Sequence, residues 1–447
     1  MNIFKKIFIP VLSLAFPLIL IQLCQASLGL IDTIVAGRYN YQDLAGVGLG
    51  TNIWSPVFIL FTGILYVIVP KFSELQHSEN IKEKIILLQQ GKNIAFILAI
   101  IGFLIIQFLA FISPFFIKDA FVANITKNYL HLVAFAIPGL IYMVLYRFVS
   151  EGHSQLKPVI ITVIVLLFTN TILCFYFVNG YGFFPEMGGA GTGLATAISA
   201  YVAFFIMRYL VENSLTDFKN KKYPKVSIKE SMVLLKQGLP IGVAFILQIL
   251  ALAILAFFAA NLGTKIIAAH QIVINIAMMI IMIPIAISSA TTIRISYFSA
   301  LINHQREEIL TSISAIFFTF IYSLITAILL LIFASEIIEI FSRDKVIVNV
   351  ASGLIIYVAI FQVFDALQMV AAGILRGFQK FIPPLLAILI CYWFIILPLS
   401  YFMGVRGWLQ PFPNINIIWI VLSAGMIIAA IFLVFESYRV LSLRRNK

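Results

Sequence analysis

Apolar stretches of about 20 residues recur along the whole chain, each long enough to cross a ~30 Å hydrocarbon layer as a helix. They fall near residues 7–35, 44–69, 93–116, 129–150, 158–179, 191–210, 238–261, 266–292, 309–333, 347–373, 381–404 and 415–435, which predicts twelve spans. Within them the apolar residues run on without the every-second-residue alternation of a barrel strand, so an all-α integral membrane fold is expected. The opening "MNIFKKIFIPVLSLAF" has the charged start of a signal peptide. Its apolar run is too long for one and lacks a small-residue cleavage site, so it is read as the first span.

The longest polar stretch, Glu212 to Gln237, divides the spans six and six. Shifting the first half by 223 to 225 positions brings rarer residues into coincidence: Pro17 with Pro240, Gln25 with Gln248, Lys71 with Arg294, Gly152 with Gly377 and Pro158 with Pro383. This predicts an internal duplication, with a first lobe over 1–211, a cytoplasmic linker over 212–237 and a second lobe over 238–447. An even number of spans leaves both copies in one orientation. Two six-helix lobes related by a pseudo-twofold axis along the membrane normal are therefore expected, with a site near mid-membrane. Architectures of this kind move solutes by rocking one lobe against the other, so transport is expected before any site residue is considered.

Composition agrees: 62% of the 447 residues are hydrophobic and 11% charged, against about a quarter charged in soluble chains. The net charge of +12 changes meaning once it is mapped. With the N-terminus inside, 23 of the 30 Lys and Arg residues fall on the inner side and 7 outside, the outer ones being Arg38, Lys118, Lys127, Lys265, Arg343, Lys345 and Arg406. The positive-inside rule then places both termini in the cytoplasm. Anionic lipid headgroups are the expected partner of this charge, and nucleic acid is not. Cys24, Cys174 and Cys391 are lone residues in apolar sequence, without disulfide or metal spacing, and read as packing residues.

Against this background the polar residues inside spans stand out. Asp32, in "GLIDTIVAGRY", is either an interfacial acid pairing with Arg38 six residues on, or an acid facing the lobe interior that exchanges a proton or holds a cation. Asp365, in "IFQVFDALQMVAAGILRG", lies near the middle of the tenth span with no basic residue within a turn or two. A buried, hydrogen-bonded core acid is one reading of it; a group that alternates between protonated and charged states is the other. Gln248, Gln25 and Asn170 are amides at comparable depth, able to line a cavity or simply to bond neighbouring helices. The Gly-rich "AGVGLG" and "GGAGTGLATAIS" follow no strand and read as places where helices approach closely. The five histidines have no ligand spacing; His270, in "AAHQIVIN", is expected to play a structural role at a helix end.

These residues, together with "RFVSEGHSQLKP", "GLPIG", "AAHQIVINIAMMIIMIPIAISSATTIRI" and "DALQMVAAGILRGFQ", resemble the multidrug and toxic compound extrusion (MATE) family, and most closely its bacterial NorM-like branch, over nearly the full chain. The resemblance implies export of organic cations driven by inward Na+ or H+, in a multi-pass protein of the bacterial inner membrane with no other cofactor; a monomer is expected. It matches Asp32 to the family's span-one acid, Asp365 to its span-ten acid and Asn170 to a span-five asparagine near the first acid. Two positions depart. Gln248 stands where NorM-like members carry a glutamate, and Cys174 where they carry Asn or Asp, so the coupling ion stays open and Na+ at Asp365 and Gln248 is one option.

Two rivals are weighed. A flippase for lipid-linked oligosaccharides, from the same broad superfamily, is expected to have a more basic interior for a pyrophosphate headgroup; here two acids lie mid-span. An intramembrane enzyme needs a convergent nucleophile and base or a metal set, and no grouping has that spacing, so no enzyme is expected.

Overall fold

The computed structural model describes residues 2–78, 80–182, 185–215, 218, 226–408 and 414–445, of which every regular element is helical. Eleven helices, or twelve counting one bent pair as a span, are long and apolar enough to cross a membrane among the described residues. They coincide one for one with the twelve expected segments. Large apolar side chains such as Phe108, Phe168, Phe257, Phe394 and Phe435 lie exposed. Lipid rather than water is the medium such a surface suits. Of the expected linker, residues 216–217 and 219–225 lie outside the described residues, and helix already resumes at Ile228.

The chain divides into two compact units: residues 20–243, called here the first unit, and residues 1–19 with 244–447, the second. The helices are α1 (Asn2–Tyr39), α2 (Tyr41–Leu65), α3 (Ile68–Glu74), α4 (Ile81–Ile112), α5 (Ala120–Ala134), α6 (Ala136–Gly152), α7 (Lys157–Asn179) and α8 (Ala190–Ser214). Then come α9 (Ile228–Ala260), α10 (Thr264–Ile280), α11 (Met282–Ser299), α12 (Gln305–Ile332), α13 (Ala334–Glu339), α14 (Lys345–Gly377), α15 (Ile382–Ile388), α16 (Leu397–Leu399) and α17 (Ile415–Arg445). α15 continues in π-helical form over Leu389–Ile396 and, beyond α16, over Ser400–Val405.

Prolines set three of the interruptions. Proline lacks an N–H and its ring clashes with the carbonyl four residues earlier. Pro70, Pro138 and Pro284 each stand three residues beyond the end of a helix break, at Tyr66–Val67, Phe135 and Ile281 respectively, so the carbonyl each ring would meet belongs to the break or to the residue just before it. At Pro138 the α5–α6 pair bends by 45°. The repeat shift places Gln362 opposite Pro138, and α14 accordingly runs unbroken for 33 residues. Caps repeat as well: Asp119 accepts from Phe121 and Val122 N–H at the start of α5, and Asp344 from Val346 and Ile347 N–H at the start of α14.

Close helix contacts then fix the elements that carry the polar residues. In the first unit a side chain at Gly50 would overlap the Tyr129 ring, and a β-carbon on Gly191 would stand 2.9 Å from the Phe177 carbonyl carbon. Both Gly-rich stretches therefore serve helix approach. In the second unit α14 is tied to α11 by a ladder of three hydroxyls one turn apart. Ser288 donates to Met369 O (2.7 Å), Thr292 to Gly373 O (2.9 Å) and Ser296 to Gly377 O (2.8 Å). The core of this unit gathers around Trp419, Tyr392, Phe361 and Val273.

Candidate ion and substrate site

Each unit holds one of the two acids. In the first, α1 presents Asp32, half-buried, to α7 and α8. Asn170 and Cys174 lie one turn apart on α7, and Thr192 and Thr196 one turn apart on α8, so each helix offers a polar pair on one face. The Cys174 thiol donates to Asp32 Oδ1 at 3.2 Å, and the Thr196 hydroxyl lies 3.4 Å from Oδ2. Neither oxygen is firmly held. The single Thr196 proton has a nearer acceptor in Thr192 O at 3.0 Å, and a thiol is a weak donor. Asn170 completes the cluster, donating to Thr196 Oγ1 at 3.3 Å, with its carbonyl oxygen 3.7 Å from Cys174 Sγ. Tyr129, fully buried, lies within electrostatic reach of the acid; its hydroxyl accepts from Trp54 Nε1 at 3.1 Å and shares a proton with Thr51 at 3.2 Å.

In the second unit Asp365 is buried in α14, and its Oδ1 accepts from Gln368 Nε2 at 2.9 Å. Gln248 on α9 donates its amide N–H to Tyr392 Oη at 3.3 Å, and the Tyr392 hydroxyl donates to Met426 Sδ at 3.6 Å. Tyr392 is fully buried. The next residue, Trp393, donates its indole N–H to Leu247 O at 3.1 Å.

Among the described residues no ion pair includes Asp32 or Asp365; the pairs that form lie elsewhere, as Arg147–Glu151, Arg208–Glu212, Lys265–Asp344 and Arg444–Glu308. Arg38, the expected partner of an interfacial Asp32, makes none. A membrane-embedded carboxylate without a cationic neighbour is costly when charged. It can be relieved by a proton, a small metal ion or a cationic ligand, and the same oxygens serve all three. No group of three or more His, Cys, Asp or Glu side chains is placed to hold a metal among the described residues.

Outside the spans, the Lys265 ammonium bonded to Asp344 at 2.9 Å, helped by the Val346 N–H, holds that carboxyl below its ordinary range.

Sequence reasoning singled out Asp32, Asn170, Asp365, Gln248 and Gln25. Asn170 is brought into the cluster around Asp32, whereas Gln248 bonds Tyr392 and no hydrogen bond among the described residues links it to Asp365. Gln25 lies half-buried on α1 about two turns before Asp32, without a side-chain hydrogen bond among the described residues. Thr196, Gln368 and the two tyrosines were missed, and Cys174, read as a packing residue although it stands where the resembled family carries Asn or Asp, is instead a donor to Asp32. For Cys174 a signal existed in its position one turn after Asn170. For Tyr392 none did, because a π-helical turn leaves no mark in hydropathy. His270 is buried inside α10 with its ring 5.5 Å from Trp419, a core position more than a helix end.

Comparison with known proteins bears on the whole chain rather than on the site. The MatE family profile matches residues 17–176 and 240–402, segments that open at Pro17 and Pro240, the pair that begins the internal repeat. The chain is 31% identical over 430 residues to a "Multidrug resistance protein NorM" of Photobacterium profundum, covering 94% of this chain and 93% of the relative. It is 28% identical to a "Multidrug resistance protein MdtK" of Yersinia pseudotuberculosis, covering 95% and 94%. Among solved structures, the Vibrio cholerae MATE transporter VcmN in its bent form superposes with a TM-score of 0.85 at 16% identity, covering 99% of this chain and 98% of that one. The eukaryotic MATE transporter AtDTX14 superposes at 0.84 and 16%, covering 99% of each. At these identities the structural likeness speaks to the fold.

Proposed function

Because the chain belongs to the MatE family, we propose that it is a multidrug efflux transporter expelling small organic cations by antiport with inward Na+ or H+. The chain is a multi-pass membrane protein and a transporter rather than an enzyme. The observation that carries the finer reading is the pair of intramembrane acids, one in each unit, each lightly hydrogen-bonded and neither paired with a base.

The cycle follows from charge. In the outward-open state a proton or Na+ neutralises Asp32 or Asp365, which weakens the hold on a cationic drug and lets it leave. The loaded protein turns inward and releases the ion, and the bare carboxylate favours the next drug. One charge crossing 100 mV supplies ~2.3 kcal/mol, enough for roughly a fiftyfold drug gradient at ~1.4 kcal/mol per decade. No cofactor beyond the coupling ion is required, and Asn170, Gln248 and Gln25 are assigned to the polar lining. The distribution of Lys and Arg supports a bacterial inner-membrane setting with both termini cytoplasmic and anionic lipids against the inner ends of the helices. Nothing in that distribution favours nucleic acid, and a monomer with two lobes, 1–211 and 238–447 joined by 212–237, suffices for the cycle.

The test is ethidium efflux from cells expressing Asp32→Asn or Asp365→Asn. Each loses most of its efflux at equal protein level. Undiminished efflux by both variants contradicts the reading.

A further inference from the structure

Away from the two acids, the first unit holds a cavity of about 250 Å³ between the end of α3, the start of α4 and the first turns of α9. Every residue that lines it belongs to that one unit. It lies on the side read here as cytoplasmic, where the linker enters α9. Sites for small organic molecules are concave and largely apolar, with a few placed polar groups. This cavity has that make-up, at a size that suits the charged end of a ligand. Leu87 and Leu234, both buried, and Val233, exposed, form its apolar wall. Lys71, Glu74, Glu230, Gln90 and Gln237 supply the polar one.

The fold does not use up these polar groups. Gln90 and Gln237 are half-buried, and neither amide makes a hydrogen bond among the described residues. Polar groups drawn away from water ordinarily find partners. Lys71 and Glu74 stand three residues apart on one face of α3, where opposite charges offset one another. Glu230 is then the surplus charge. It closes a capping box at the start of α9: its N–H donates to Ser227 Oγ at 3.2 Å, and its Oε2 accepts from the Ser227 N–H at 3.2 Å. Its other oxygen has no partner among the described residues. Lys229 and Lys236, on the same stretch of α9, do not line the cavity, so carboxylates outnumber ammonium groups in its wall.

The internal repeat shows that the scaffold itself does not demand these acids. The shift of 223 to 225 positions sets Tyr297, Phe298 or Ser299 against Glu74, and Lys5, Lys6 or Ile7 against Glu230. Lys71 meets a base again in Arg294. The second half keeps the base and has neither carboxylate.

We propose that this cavity is an entry site for cargo, where an amphiphilic organic cation binds before it reaches the intramembrane acids. Its charged end sits among Glu74, Glu230 and the oxygens of Gln90 and Gln237, and its apolar part lies on Leu87, Val233 and Leu234. Val233, 59% exposed, marks where the cavity opens at the membrane surface. Cations gather in that layer because the inner leaflet is anionic. The inference rests on the reading of the chain as an exporter of organic cations and adds the place where they first bind. The ammonium of a phosphatidylethanolamine headgroup offers the same chemistry, and the experiment separates the two sources.

Ethidium binding to purified protein is measured first in the Asp32→Asn/Asp365→Asn background, which lacks both intramembrane charges. A saturable site remains there. Adding Glu74→Gln/Glu230→Gln raises its dissociation constant about fivefold, the loss expected of two partly exposed charge contacts. Val233→Trp, which fills the mouth of the cavity, acts in the same direction. Glutamine also serves in a capping box, so Glu230→Gln leaves the start of α9 intact. In proteoliposomes, with Asp32 and Asp365 restored, the same substitutions raise KM for ethidium by about the same factor, while kcat changes less than twofold. No saturable site in the acid-free background overturns the proposal, as does an unchanged dissociation constant in both variants. So does a KM shift seen only in vesicles that contain phosphatidylethanolamine and lost in phosphatidylglycerol and phosphatidylcholine, since the cavity then holds lipid. If the site behaves as expected but the parent protein exports no ethidium, the exporter reading fails instead.

Discussion

The two acids are held in unlike ways. Asp32 meets a thiol and a shared hydroxyl from two neighbouring helices, both at 3.2 Å or longer. Asp365 meets a single amide, Gln368, from its own helix at 2.9 Å. Nor are they mates in the internal repeat. The shift that aligns Pro17 with Pro240 places Leu255, Ala256 or Phe257 opposite Asp32, and Leu140, Ile141 or Tyr142 opposite Asp365. The duplication supplied two similar scaffolds, and a different span in each came to carry the acid. Symmetry of fold here does not extend to symmetry of site.

Several substitutions would sharpen that contrast, starting with the largest effect. In the first unit Cys174→Ala removes the better-placed donor to Asp32. A hydrogen bond of about 1 kcal/mol corresponds to roughly a fivefold slower efflux, and Cys174→Ser, which keeps a donor, stays close to the parent rate. Equal rates in all three proteins would mean that the thiol merely packs, and the two sites would then differ less than proposed here.

A smaller effect lies at the helix starts, where the halves do match. Asp119 and Asp344 cap the same helix of each repeat, but among the described residues only Asp344 also meets a lysine. Its carboxyl is held below the ordinary 3.8 when folded. Its contribution is therefore complete above the unfolded value and fades as pH falls through the lower folded one. Asp344→Asn should lower the melting temperature slightly at pH 7, with the difference from the parent narrowing below about pH 4. Melting curves in detergent across that range check it, and a difference that grows on acidification would reverse the assignment.

The spans were legible in the sequence because hydrocarbon thickness imposes a length on apolar runs, and the breaks at Pro70, Pro138 and Pro284 are local chemistry. Asp32 and Asp365 were legible because a carboxylate is conspicuous among Leu, Ile and Phe. Their surroundings were not. Cys174 and Thr196 reach Asp32 from residues more than 140 positions away, and a cysteine or threonine in an apolar helix is ordinary. Tyr392 was hidden more deeply, since its placement depends on a helical register that composition does not encode.

At the centre of the account is a trade: the same carboxylates hold either the small ion or the organic cation. The most direct measurement is equilibrium binding of a labelled organic cation to the purified protein at several Na+ and proton concentrations. The account predicts that at least one of these ions raises the apparent dissociation constant competitively, and that Asp32→Asn/Asp365→Asn together abolish the effect, since coupling between two ligands is reciprocal. Organic cation and ion bound together, each indifferent to the other, would contradict it.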